Sequence, residues 1–204
     1  MAGLIAGNGS LSGGKVQRCG TGCASRWTQR RRAEPLYVLD GFDYLLANGG
    51  DLGVRVVNCS FSANTLFDTN DPVNIATQDA DGSRNQCRVF RWEQWSGRAH
   101  SNPYAAAPWV IGVGATDTEG RLASFPSRGD FGNPLLHPTL VAPGVGVVSV
   151  RGLGVANVTG AEGLLLGSDA QRLGLTELPN YTTANGTSFS APQGRRRNRT
   201  DAGS

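Results

Sequence analysis

Histidine is almost missing from this chain: His100 and His137 are the only two in 204 residues. Any chemistry that needs an imidazole to carry a proton must draw on those two. Lysine is scarcer, with Lys15 alone, so nearly all positive charge is arginine. No run of 18 apolar residues occurs, so no membrane-spanning helix and no membrane partner are expected. No acidic cluster marks a calcium site, and neither a metal nor a cofactor is expected. No G-x-S-x-G sequence occurs, which argues against the nucleophile elbow of an α/β-hydrolase. There is no internal repeat. The chain opens on a helical pattern rather than a charged-then-apolar leader, so no signal peptide is expected within it. What is present fits one domain by length. Gly 29 and Pro 10 point to many turns, and 39% hydrophobic residues is ordinary for a globular chain.

The arginines are not spread evenly. Val16–Ala33, Asp81–Arg98 and Gly194–Ser204 together hold 13 of the 18 arginines in 47 residues. They also hold Cys19, Cys23 and Cys87 of the four cysteines, and Trp27, Trp92 and Trp95 of the four tryptophans. Outside them stand six basic and 13 acidic residues, so the net charge of +3 averages an acidic body and three basic islands. One explanation is an anionic-surface or nucleic-acid site, since arginine interleaved with tryptophan suits phosphate and base contact. The other is a shifted reading frame, because Arg, Cys, Trp and Gly share G- and C-rich codons. On that second explanation the cysteine count says little about disulfides.

The densest signal is Asn185-Gly186-Thr187-Ser188-Phe189-Ser190-Ala191-Pro192. Glycine and small residues around Ser188 let a tight turn present one hydroxyl at a helix start. A helix start offers N–H groups and positive potential to a developing oxyanion. A bare G-T-S is also what an ordinary N-cap serine looks like. The full octapeptide, however, closely resembles the nucleophile motif of the subtilisin family of serine peptidases, the subtilases. Further blocks follow in family order. Met1–Gly9 resembles the helix after the catalytic histidine. Val54–Ser62 resembles the strand whose end lines the substrate cleft. Pro103–Thr116 resembles the buried strand after the oxyanion-hole loop. Ala123–Gly129 and Val141–Val145 match two more landmarks.

The islands can be tested against this resemblance. Gly194–Gly203 can be encoded so that dropping one base gives V-A-G-A-I-A-L-M-L, an apolar helix continuing from S-A-P-Q. The same shift across Asp81–Arg98 can give a hydrophobic strand followed by A-G-N-S-G, the family's oxyanion-hole loop. Across Val16–Arg32 it can give Y-S-G-V-A-P-G-A-Q-V-V-G-L-S-A-G, again what the family places there. Frame-shifted islands are therefore expected, and no nucleic-acid partner.

The organisation that follows is a partial subtilase catalytic domain over residues 1–193, with aberrant segments 16–33 and 81–98, and an aberrant basic tail over 194–204. Leu36–Ala47 has helical spacing, with Asn48-Gly49-Gly50 as its stop. Val54–Phe61 is β-branched strand. Asp71–Ala80 is a short helix, with Asp71 as N-cap and Pro72 at its first position. Trp109–Ala115 is a buried strand, and Leu140–Val150 is a strand broken at Pro143-Gly144. Gly152–Asn180 resembles nothing specific and is taken as an insertion. Alternating helix and strand predicts an α/β fold with a mostly parallel sheet. The resemblance implies three layers, helices on both faces, in incomplete form.

A serine hydroxyl needs a histidine to take its proton and an acid to orient that histidine. In subtilases the order is Asp, His, Ser. Neither His100 nor His137 has the H-G-T-H surroundings of the family base, and both come too late in the chain. The resemblance places the missing histidine ahead of Met1 and the aspartate earlier still. The oxyanion-hole asparagine would fall across Glu93 and Gln94. Ser188 is thus the expected nucleophile of a serine endopeptidase fragment that is inactive as written. Ser60, Phe61 and Ser62 match the segment that pairs with extended substrate, with Phe61 as an apolar rim. Asn185 and Gly186 complete the expected substrate-binding set, with Asn185 shaping the loop beside the nucleophile. The partners expected are peptide or protein substrates, with the chain a monomer. Export is the family's habit among bacterial members. The arginine tail cannot be buried unpaired, so partial folding is expected. Two alternatives remain: a non-catalytic peptide- or nucleic-acid-binding protein on a degraded subtilase fold, and a hydrolase pairing Ser188 with His137.

Overall fold

The computed structural model describes residues 2–16, 35–61, 63, 65–82, 88–91, 102–124, 138–151 and 167–193. Four parallel strands form the main sheet in chain order: β1 (Val56–Cys59), β2 (Arg88–Arg91), β3 (Ile111–Thr116) and β4 (Leu140–Pro143). Cys59 pairs with Arg91 across β1 and β2, and Thr116 with Pro143 across β3 and β4, so all four strands run toward one edge. A separate antiparallel pair joins β5 (Val147–Val150) to β6 (Tyr181–Ala184). The helices are α1 (Ala2–Ala6), α2 (Pro35–Asn48), α3 (Pro72–Gly82), α4 (Gly167–Arg172) and a last one, α5, over residues 187–193.

Strand alternation sorts the two faces of the sheet. Val57 and Cys59 of β1 meet Phe42 of α2 and Ala76 and Ala80 of α3. Val56 belongs to the other cluster, with Val113, Ala142 and Ala191 of α5. Helices therefore cover both faces, and the α/β three-layer arrangement expected from the sequence is present. α2 contributes Val38, Leu39, Phe42 and Leu45, spaced for one helical stripe, and stops within two residues of the expected point. α3 begins at Asp71, whose Oδ1 accepts the Val73 N–H at 2.8 Å and the Asn74 N–H at 3.4 Å, with Pro72 opening the first turn. Trp109 locks the layer by donating its indole N–H to Thr77 Oγ1 at 3.0 Å.

Three features go beyond what the sequence showed. β2 lies in the second arginine island, as Arg88-Val89-Phe90-Arg91, yet sits between β1 and β3. Interior parallel strands ordinarily read as apolar runs, so sheet position here overrides composition. Leu140–Val150 does break at Pro143-Gly144, but its halves join different sheets: β4 runs parallel to β3, while β5 turns to pair with β6. The stretch taken as an insertion contains α4 and a run of turns over 175–180 that lead into β6. Cys59 is a buried thiol; Cys19, Cys23 and Cys87 lie outside the described residues.

Candidate active site

β6 ends at Ala184 and the chain turns through Asn185 and Gly186 into α5, of which Ser188 is the second residue. The turn is held against the end of β4. The Gly186 N–H donates to the Gly144 carbonyl at 2.8 Å, and Asn185 Oδ1 accepts the Gly146 N–H at 2.6 Å. The Gly144 N–H in turn donates to the Thr116 carbonyl of β3 at 2.8 Å. A Cβ at Gly144 would stand 2.8 Å from both Ala115 Cβ and the Gly186 carbonyl oxygen and would strike Ser190 Oγ. Glycine is what lets β4 pass this close to the serine turn. Gly146, at φ +61, has the left-handed conformation and carries the Arg172 guanidinium directly over it.

The first turn of α5 is anchored by burial. Thr187, Ser190, Ala191 and Pro192 are buried, with Ser190 fully so, whereas Ser188 keeps partial exposure. The sequence pattern thus divides roles within one helix: Ala191 packs with Val113 and Ala142, and Ser188 stands at the carboxyl edge of the parallel sheet. That edge is where ligands bind in open α/β sheets.

Ser60 and Phe61 follow the carboxyl end of β1 and lie on the same edge. Asn102 fixes them: its Nδ2 donates to the Phe61 carbonyl at 2.9 Å while its Oδ1 accepts the Tyr104 N–H at 3.1 Å. The Phe61 and Tyr104 rings meet edge to face at 6.0 Å. Asn58 Nδ2 donates to Ser60 Oγ at 3.1 Å, and Asn58 Oδ1 is buried with no partner among the described residues. β1 and β4 are three strand spacings apart, about 14 Å. Asn185, Gly186 and Ser188 therefore form one group, and Ser60 with Phe61 another, along one edge. Ser62, His100, His137 and the Glu93-Gln94 pair lie outside the described residues. No group of three or more potential metal ligands occurs among the described residues, and none of their helices is long and apolar enough to cross a membrane.

Sequence reasoning did not find the polar knot behind the turn. Asp169 of α4 is fully buried and accepts from the Thr183 N–H at 2.6 Å, Thr183 Oγ1 at 2.8 Å and Arg151 Nη2 at 2.7 Å. The same Nη2 donates to the Tyr181 carbonyl at 2.9 Å, and Arg151 Nε donates to that of Leu178 at 3.1 Å. The available signal was an acidic first turn and a basic last turn in a short helix. Beside it, Glu177 has its carboxyl held below the ordinary range, first by the Gly174 N–H and then by Lys15, whose Nζ lies 3.2 Å away.

A parallel sheet with helices on both faces, and a part-exposed serine on the first turn of a helix leaving its carboxyl edge, place the chain among α/β proteins. The particular family follows from comparison with known proteins. A family model described as the subtilase family (Peptidase_S8) matches residues 1–193, and the chain belongs to that family. Among solved structures it is similar to the self-cleaved protease domain of PatA, at 18% identity and TM-score 0.62, over 94% of this chain and 60% of that one. It is similar to a lanthipeptide protease at 17% identity and TM-score 0.57, over 82% and 51% of the two chains. MycP1 from the ESX-1 type VII secretion system matches at 16% identity and TM-score 0.52, over 96% and 56%. The chain thus spans between half and three fifths of the length of these structures, and at such identities they share its fold.

Proposed function

We propose that Ser188 is the nucleophile of a serine endopeptidase that cleaves peptide or protein substrates through an acyl-enzyme, and that these 204 residues alone do not complete its catalytic machinery. The observation that carries the proposal is the Gly144–Gly186 latch, which sets a part-exposed serine on a buried helix start at the sheet's carboxyl edge, within a chain matched to the subtilase family. Ser60, Phe61 and Ser62 supply the substrate-binding edge. An extended peptide of about four residues spans the roughly 14 Å between that edge and the serine turn, and pairing by strand addition would read its backbone more than its side chains. Asn185 and Gly186 shape the turn. The protein acts as a monomer, without a nucleic-acid partner.

Catalysis divides along the same line. A serine hydroxyl becomes a strong nucleophile when an imidazole removes its proton as it attacks the carbonyl carbon. Neither histidine of the chain has the sequence surroundings of that base. In subtilisin, loss of the histidine costs about 10⁶ in turnover, against about 10²–10³ for the oxyanion-hole asparagine. The missing base therefore decides the outcome, and the isolated chain has no meaningful peptidase turnover.

The test is the nucleotide sequence ahead of the Met1 codon and through the three islands. The proposal expects an in-frame histidine within an H-G-T-H turn upstream and the one-base shift inside the islands. A protein expressed from the restored frame should hydrolyse casein and lose that activity on Ser188→Ala. Full activity in the Ser188→Ala protein would overturn the assignment.

A further inference from the structure

The structure assigns α4, with its buried Asp169 and its exposed Arg172, the role of a brace that positions the serine turn. This rests on the reading of Ser188 as the nucleophile. Two independent contacts converge on the segments that hold the turn. On one side, Asp169 fixes β6: its Oδ1 takes both the backbone N–H and the hydroxyl of Thr183, five residues before Ser188. Arg151, only 11% exposed, completes the knot by joining β5 to Asp169 and to the carbonyls of Leu178 and Tyr181. A buried carboxylate held by four donors, counting Thr182 Oγ1 at 3.3 Å, has one geometry available to it. On the other side, Arg172 Nη1 donates to the Gly146 carbonyl at 3.3 Å. Gly146 is the residue whose N–H holds Asn185 Oδ1.

A single six-residue helix therefore touches both walls of the turn that presents Ser188. Asp169 bears on the strand entering it, and Arg172 on the β4–β5 bend that supports it. The described 167–180 stretch is on this account a working part of the domain. Asp169 and Arg172 are positioning residues, since neither is placed to meet a substrate.

Hydrogen exchange followed by mass spectrometry on the full 204-residue chain tests this without any turnover, so its outcome is separable from that of the nucleophile assignment. In Arg172→Met, peptides covering 144–147 and 185–189 should exchange at least fivefold faster while those covering α2 and α3 are unchanged. Arg172→Lys should recover at least half of the protection. In Asp169→Asn, peptides covering 181–189 should exchange at least tenfold faster, again with α2 and α3 unchanged. Unaltered exchange at 185–189 in Arg172→Met, or equal acceleration across the whole chain, would overturn the brace. Should Asp169→Asn fail to fold, the solvent-exposed Arg172 pair decides the matter.

Discussion

Replacing Gly144 by alanine probes the contact on which the site depends. The new methyl carbon would lie 2.8 Å from Ala115 Cβ and 2.8 Å from the Gly186 carbonyl oxygen, and would press on Ser190 Oγ, which is fully buried and cannot rotate into solvent. Ordinary contact begins near 3.4 Å. The β4 end and the serine turn must therefore separate by about 0.6 Å, a shift that close-packed interiors resist. Overpacking of this kind costs about 1–3 kcal/mol. The separation also stretches the 2.8 Å bond from the Gly186 N–H to the Gly144 carbonyl, and losing a buried bond adds about 1–3 kcal/mol. The sum, about 2–6 kcal/mol, corresponds to at least 30-fold faster exchange of the Gly186 amide, since about 1.4 kcal/mol is a factor of ten. Exchange measured residue by residue reads this directly. Gly82→Ala is the control, because its Cβ would enter open space. Wild-type exchange at Gly186 in Gly144→Ala would refute the geometry from which the site is built.

Other outcomes follow from the same structure. Asn185→Ala removes the acceptor of the Gly146 N–H and should speed exchange of that amide several-fold, in line with about 1 kcal/mol for one hydrogen bond; an unchanged rate would show the side chain to be idle. The Glu177 carboxyl is held below its ordinary value of 4.5, so its stabilising contribution is present above that value and fades as pH falls through the lowered one. A titration of the Gly174 amide resonance should show this loss, and Glu177→Gln should abolish it. Calorimetry of the isolated chain should show a broad, weak transition, because an arginine tail follows α5 where an apolar helix is expected; a sharp cooperative melt would contradict this.

How much was legible depended on how local each signal is. The serine turn could be read because the residues that form it lie within eight consecutive positions, Asn185–Pro192, and small residues before a helix start need no distant partner to be recognised. α2 and α3 were legible for the same reason: Val38, Phe42 and Leu45 repeat at helical spacing, and Asp71-Pro72 is a helix-start signature. The Asp169 knot was not legible, since Thr183 and Arg151 lie 14 and 18 residues away and no spacing rule links an aspartate to them. β2 was obscured by composition: Arg88 and Arg91 hide a strand that only its neighbours specify. The latch from Gly144 to Gly186 spans 42 residues, and the sequence marked both ends as family landmarks without showing that they touch.

The central claim is the proposal that Ser188 is the nucleophile and that neither histidine of these 204 residues serves as its base. The most direct measurement is reaction of the purified 204-residue protein with a biotinylated fluorophosphonate, read by peptide mapping beside Ser188→Ala. The account predicts no labelling of Ser188 above that of the Ser188→Ala protein on the timescale in which subtilisin reacts completely. Rapid modification of Ser188 would show that a working base is present after all, and rapid modification of a different serine would show that the nucleophile was misassigned.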